Sequence, residues 1–222
     1  MIKTMRARLA MAAALMFIAT ATRAQTHSGG MHGHHRFDDP KKWSQQFDSV
    51  ARDAWQMPDR VVQALDLKPD ATVADIGAGT GYFSVRLARV APQGRVFAID
   101  IEPTMLAHIT ARAEKEGLKN ITVVRGTETS AAIPEKVDLV LIVDTYHHIS
   151  ARTAYMAAVK SQLKPGGRVA IIDFKPDATE GAPKHMRLST NTVIAEMTAA
   201  GFAQLSSHEF LPHQYFVTFR AQ

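Results

Sequence analysis

The chain has 222 residues, no cysteine, and 26 basic against 21 acidic residues, a formal net charge of +5. The absence of cysteine excludes disulfides, thiolate metal ligands and thiol nucleophiles, and the length suits one α/β domain with a sizeable core. The charge does not mark a nucleic-acid surface: residues 1–24 hold four basic residues (Lys3, Arg6, Arg8, Arg23) and no acid, so taking four from 26 leaves 22 against 21, a net of +1.

In chain order, residues 1–24 read as a secretory signal peptide. Lys3, Arg6 and Arg8 form a basic start, Leu9 to Ala21 an apolar run short for a bilayer, and Thr22-Arg23-Ala24 a small-x-small cleavage site. The expected destination is the periplasm or the exterior. No cysteine follows the cleavage site, which excludes lipoprotein anchoring; an uncleaved anchor, or a start at Met31, stay open. Residues 25–36 form a polar tail with four histidines and one methionine, a composition that suits copper, nickel or zinc. Its glycine spacing and lack of orienting partners make a flexible tail the expectation, and no metal site is assigned.

Residues 37–57 carry both tryptophans, and the spacing of Trp43, Phe47 and Val50 predicts one face of an amphipathic helix. Pro58 opens a second helix with Val61, Val62 and Leu65 apolar, leading through Asp66-Leu-Lys-Pro-Asp70 to a strand. There the text is Val-Ala-Asp-Ile-Gly-Ala-Gly-Thr-Gly-Tyr-Phe, residues 73–83. Val73 and Ala74 fit the end of a buried strand, and Phe83, Val85, Leu87 and Val90 repeat at helical spacing. Between them Gly77, Gly79 and Gly81 let the backbone approach a ligand that faces free helix amides. Asp75 favours a cationic ligand group there and opposes a phosphate. A dinucleotide turn, Gly-x-Gly-x-x-Gly/Ala, needs a small residue where Tyr82 stands.

Arg95 to Asp100 is a second short strand ending in a carboxylate. Pro103 suits the first turn of a helix with Met105, Leu106 and Ile109 on its apolar face; Gly117 closes it, and Ile121 to Val124 is the third strand. Val137 to Val143, the most hydrophobic stretch beyond the N-terminal segment, is expected to be a central strand buried on both faces. It runs into the polar cluster Asp144-Thr-Tyr-His-His-Ile149, at the strand edge where open α/β sheets bind ligands. Leu163-Lys-Pro-Gly-Gly167 turns into a fifth strand ending at Asp173, and Phe174 to Lys184 reads as a loop. Ser189 caps a helix through Ala200 that stops at Gly201; Leu205–Phe210 and Gln214–Arg220 then alternate as two strands joined around Leu211-Pro-His213.

The runs Asp75-x-Gly77-x-Gly79-x-Gly81 and Leu163-Lys-Pro-Gly-Gly167 resemble two motifs of the class I S-adenosylmethionine (SAM)-dependent methyltransferases. The style is closest to the small-molecule enzymes grouped with those of quinone biosynthesis, and the resemblance covers roughly residues 58–220. It implies an α/β fold over residues 58–222: a single Rossmann-like, seven-stranded, mostly parallel sheet with helices on both faces and a C-terminal antiparallel strand pair.

The resemblance also implies a site. The loop Gly77, Ala78, Gly79, Gly81 and Tyr82 would wrap the methionine part of SAM, with Asp75 near its amino group. Asp100 would take the ribose hydroxyls, and Ile101 would wall the adenine. The family often carries Gly-Asp after its third strand, where this chain has Gly126-Thr127-Glu128. Thr127, Glu128 or backbone alone is left to hold adenine. The segment from Asp144 resembles the family's motif beside the transferable methyl, with Asp144 near the cofactor. If a proton acceptor is needed, His147 comes first, then Asp144 and His148. Residues 37–57 would close over the cofactor and acceptor, or cap the sheet edge. His185, Arg187, His213 and Tyr215 fall in or beside acceptor-lining regions. The implied function is methyl transfer to a small-molecule acceptor, with no nucleic-acid partner and no stable membrane insertion after signal cleavage. The alternative is an exported protein that keeps the fold without catalysis and binds a ligand or metal.

Overall fold

The structure is a computed structural model that describes residues 39–222. The expectations for residues 1–24 and 25–36 lie outside the described residues. The strands are β1 (Thr72–Ile76), β2 (Arg95–Asp100), β3 (Ile121–Arg125), β4 (Val137–Val143), β5 (Leu163–Phe174), β6 (Phe202–His208) and β7 (Gln214–Ala221). The helices are α1 (Pro40–Phe47), α2 (Val50–Gln56), α3 (Pro58–Ala64), α4 (Ser84–Val90), α5 (Pro103–Lys115), α6 (Arg152–Lys160) and α7 (Thr190–Ala199).

All seven strands join one sheet in the order β3-β2-β1-β4-β5-β7-β6, parallel from β3 to β5, with β7 antiparallel to both its neighbours. The chain winds outward from β1 to β2 and β3, then returns to place β4 on the other side of β1. That reversal opens a crevice beyond the carboxyl ends of β1 and β4. The seven-stranded Rossmann-like sheet with its antiparallel pair is therefore as expected.

Period-two alternation on fully buried strands gives each face its own core. Ala74, Ile76, Phe97, Ile99, Val140, Ile142, Val169 and Ile171 pack with Met156 and Val159 of α6 and Val193 and Met197 of α7. Their strand neighbours Val73, Val96, Leu139, Leu141, Ala170 and Ile172 pack with Val61, Val62 and Leu65 around α3 and with Leu87 and Ala88 of α4. Within β5, Leu163 pairs with Val137 and Arg168 with Leu139, so the Lys-Pro-Gly-Gly residues bulge out of the ladder between them.

Three local features differ from the sequence reading. The predicted helix over Trp43, Phe47 and Val50 is two helices broken at Asp48 and Ser49, and Val50 is 85% exposed rather than on the apolar face. The Ser49 side chain caps the second helix by accepting from the Arg52 amide, which frees Asp48 to face elsewhere. Residues 152–160 form a helix where the sequence reading assigned none, and β6 starts at Phe202, directly after Gly201. Among the described residues no helix is long and apolar enough to cross a membrane, and no group of three or more His, Asp or Glu side chains could hold a metal ion.

Candidate active site

The first wall of the crevice is the turn from β1 into α4. Gly77 and Ala78 donate their amides to the Ile99 carbonyl at 2.8 and 3.0 Å, folding the turn back over β2. Gly77 has φ +75°, and a Cβ there would run into the Thr145 side chain, so only glycine fits. Asp75 is buried, and its Oδ2 accepts from Ser84 Oγ at 2.6 Å. Burial, helped by the nearby Asp100 carboxylate and opposed by Ser84 and Arg52, raises its pKa to about 6. Asp100 accepts from the Gly79 amide at 2.8 Å and the Glu102 amide at 3.0 Å. Burial nonetheless pushes its pKa above the usual carboxylate range. Ile101, beside it, is half exposed and apolar. Thr127 and Glu128 are exposed on a turn in which the Thr127 amide already donates to the Ser130 carbonyl at 2.8 Å.

The second wall follows β4. Asp144 takes a left-handed backbone (φ 52°), rare for a residue with a side chain, and donates its amide to the Ile172 carbonyl at 2.9 Å. Its carboxylate pairs with Arg52 at 3.2 Å and accepts from Gln214 Nε2. Burial is the main cause that lifts its pKa to about 7; Arg52 opposes the rise and the Asp173 charge adds to it. A single 3-10 turn, Tyr146–His148, then aims His147 at β5. His147 Nδ1 lies 2.8 Å from both carboxylate oxygens of Asp173, and the His147 amide donates to Asp173 Oδ2 at 3.2 Å. Both side chains are 3% exposed. A carboxylate at Nδ1 holds the proton there and leaves the lone pair on Nε2. The His148 ring lies tilted against the His147 ring, their centres 4.2 Å apart.

A third wall comes from α1 and α2, which lie across the glycine turn. Asp48 accepts from Thr80 Oγ1 at 3.1 Å and from Arg112 at 2.8 Å. Asp53 accepts from the Tyr82 hydroxyl and from Arg86 at 3.3 Å. The Arg52 guanidinium stands 4.2 Å from the centre of the Tyr82 ring, and the buried Gln56 donates to Gln214 at 2.6 Å. Trp55 packs on Phe174 and His213. The segment thus spans from the glycine turn to β7, over the carboxyl ends of the strands.

Arg52 and Asp173 are absent from the sequence-derived site. Asp173 had a signal, since it ends an apolar strand just as Asp100 does; Arg52 had none. Arg187 is spent on the carbonyls of Ala182, Ala178 and Glu180 and ties its own loop. Tyr215 is 4% exposed, and its hydroxyl lacks a hydrogen-bond partner.

A doubly wound sheet with a glycine turn between buried carboxylates at its switch point defines a nucleotide-type binding crevice. The chain belongs to the methyltransferase-domain family, whose sequence profile matches residues 67–213. It is 34% identical over 122 residues to a protein-L-isoaspartate O-methyltransferase of Aeropyrum pernix, covering 53% of this chain and 44% of that protein. It is 22% identical over 153 residues to the ubiquinone/menaquinone biosynthesis C-methyltransferase UbiE of Shewanella frigidimarina, covering 68% and 61%. The chain thus spans about half the length of the curated relatives it matches. A solved SAM-dependent methyltransferase from Aquifex aeolicus superposes with a TM-score of 0.75 at 28% identity, covering 82% of this chain and 97% of that one.

The cofactor of this family is SAM, and the residues present fit it. Asp75 and Asp100 are carboxylates that burial disfavours as anions. An ammonium and a pair of hydroxyls relieve that cost, whereas a pyrophosphate would add to it.

Proposed function

We propose that this chain transfers a methyl group from SAM to a small-molecule acceptor held beside Asp144 and His147. The observation that carries this reading is the meeting, at one sheet edge, of the Asp75–Gly81 turn with the His147–Asp173 pair. Bound SAM supplies a methyl made electrophilic by its sulfonium. On the protein side, Asp75 would hold the ammonium, Asp100 the ribose hydroxyls, and Ile101 would wall the adenine. His147 receives the acceptor's proton on Nε2 while Asp173 keeps the ring oriented. Asp144 is engaged by Arg52 and Gln214, and its part is to fasten the cover; His148 backs the His147 ring.

Support for a small acceptor comes from the cover itself, since α1 and α2 reach across the strand ends from the glycine turn to β7, and from the likeness to the quinone-pathway enzyme. The test is calorimetry with S-adenosylhomocysteine. Micromolar binding, abolished by Asp75→Ala and by Gly79→Val, is the expected result; no binding by the wild-type chain ends the reading. We also propose export, on the strength of residues 1–24 alone. A reporter fused after residue 60 that is active only in the cytoplasm would overturn it.

A further inference from the structure

Among the described residues, the Tyr215 hydroxyl is the only buried side-chain oxygen or nitrogen without a hydrogen-bond partner. An unpaired buried hydroxyl is a standing desolvation cost. Packing does not require that oxygen. Phe216 and Phe219, on the same strand, are fully buried as plain phenyl rings. Tyr215 is the cross-strand partner of Asp173, which places the phenol beside the carboxylate that orients His147. Asp173 already accepts from the Phe174 amide, the His147 amide and His147 Nδ1. Burial and the surrounding Asp173, Tyr146, Asp144 and Glu196 push the phenol's ionisation far up, so it stays a donor.

Building on the methyl-transfer reading above, we propose that Tyr215 donates its hydrogen to the nucleophilic atom of the acceptor, and that this atom is the oxygen of a phenol or enol. A hydroxyl oxygen has two lone pairs and one proton. One pair accepts from Tyr215, the other attacks, and the proton passes to His147 Nε2. A neutral amine nitrogen has a single pair, and a donor placed on it blocks the attack. In the transfer the acceptor oxygen gains the methyl as the sulfur–methyl bond breaks. The electrons of that bond stay on sulfur, leaving S-adenosylhomocysteine, and the positive charge ends on the imidazolium held by Asp173. Tyr215 thereby selects oxygen over nitrogen and steadies the phenolate as it forms.

The test uses 4-nitrophenol, whose phenolate is coloured, added to the full chain saturated with S-adenosylhomocysteine. The probe is expected to bind as its phenolate at a pH where it is uncharged in free solution, and 4-nitroaniline to bind at least about tenfold more weakly. Tyr215→Phe should weaken 4-nitrophenol about tenfold and abolish the colour, while S-adenosylhomocysteine affinity holds within about twofold. Because the variant removes an unpaired hydroxyl, its Tm should rise by about 2–4 °C. Absence of 4-nitrophenol binding, equal binding by the variant, equal binding of the aniline, or a fall in Tm each overturns the proposal. Failure of the wild-type chain to bind S-adenosylhomocysteine strikes the methyltransferase reading instead and takes this inference with it.

Discussion

Arg52 Nη2 lies 3.2 Å from Asp144 Oδ2, an ion pair that joins a helix from the N-terminal segment to the end of the central strand, 92 positions along the chain. The same guanidinium donates to Gln56 Oε1 and to the Phe47 carbonyl, so one fork holds the end of α1, the body of α2 and the floor of the crevice. Removing Arg52 leaves the half-buried Asp144 carboxylate without a cation, held by Gln214 alone. Arg52→Ala is expected to cost about 2 kcal/mol, less than a fully buried pair because both side chains keep some exposure. Trypsin should then cut at Lys41 and Lys42 faster than in the wild type. Pairing Arg52→Ala with Asp144→Asn should recover much of the loss, as no orphaned charge is left. Additive losses in that cycle would show that the pair is not the fastener.

The pH dependence of cofactor binding follows from Asp75. Its folded pKa of about 6 is raised by burial, so the protein without ligand protonates it below that pH. An ammonium ligand favours the carboxylate and lowers its pKa. Affinity for S-adenosylhomocysteine should therefore be flat well above pH 6 and fall as pH drops through 6, by up to about tenfold per unit. The sign for stability is the opposite. A raised pKa means that the ligand-free fold loses stability as pH rises from about 4 to 6, so Asp75→Asn should be more stable at pH 7, by at most about 3 kcal/mol. Calorimetry and urea melts across pH 5–8 read both effects. A binding curve flat across that range would remove Asp75 from the ligand.

How much of this was legible in the sequence depends on how local each cause is. The strands β1, β2 and β4 showed themselves because each is a short, predominantly apolar run stopped by aspartate or glycine. The glycine turn was legible because its φ demands are written residue by residue. The break at Asp48–Ser49 was not, because Trp43, Phe47 and Val50 satisfy helical spacing. At the break the Ser49 cap is joined by the hold of Thr80 and Arg112 on Asp48, a contact made across the fold. The pairing of Arg52 with Asp144 is equally long-range. The orphaned hydroxyl of Tyr215 is beyond any sequence pattern, since it is defined by what all its neighbours fail to offer.

Gly77 tests whether the two walls of the crevice are fitted to each other. At φ +75°, with the Thr145 side chain where a Cβ would go, Gly77→Ala adds both backbone strain and a clash. The expected destabilisation is about 1–3 kcal/mol, with loss of S-adenosylhomocysteine binding. Adding Thr145→Ala removes the two nearest atoms, Oγ1 and Cγ2, but leaves Cβ 2.7 Å from the new methyl, so stability should return only in part while the strain and that contact stay. Full recovery would show that the turn tolerates a side chain and that its glycine serves Thr145 alone.

Asp173→Asn separates orientation from proton transfer. The wild-type carboxylate faces Nδ1 of His147 at 2.8 Å and accepts its proton, leaving Nε2 as the base. An amide that turns its NH2 to Nδ1 donates instead, which moves the imidazole proton to Nε2 and removes the lone pair from the acceptor side. Nitrogen chemical shifts of His147 should therefore report protonated Nδ1 in the wild type and protonated Nε2 in the variant, a readout that needs no acceptor. Once an acceptor is in hand, kcat should fall by about a hundredfold to ten-thousandfold, the range for losing a positioned general base, with cofactor affinity little changed. An unaltered tautomer in Asp173→Asn would leave His147 as a packing residue, since nothing else on β5 is placed to fix its ring.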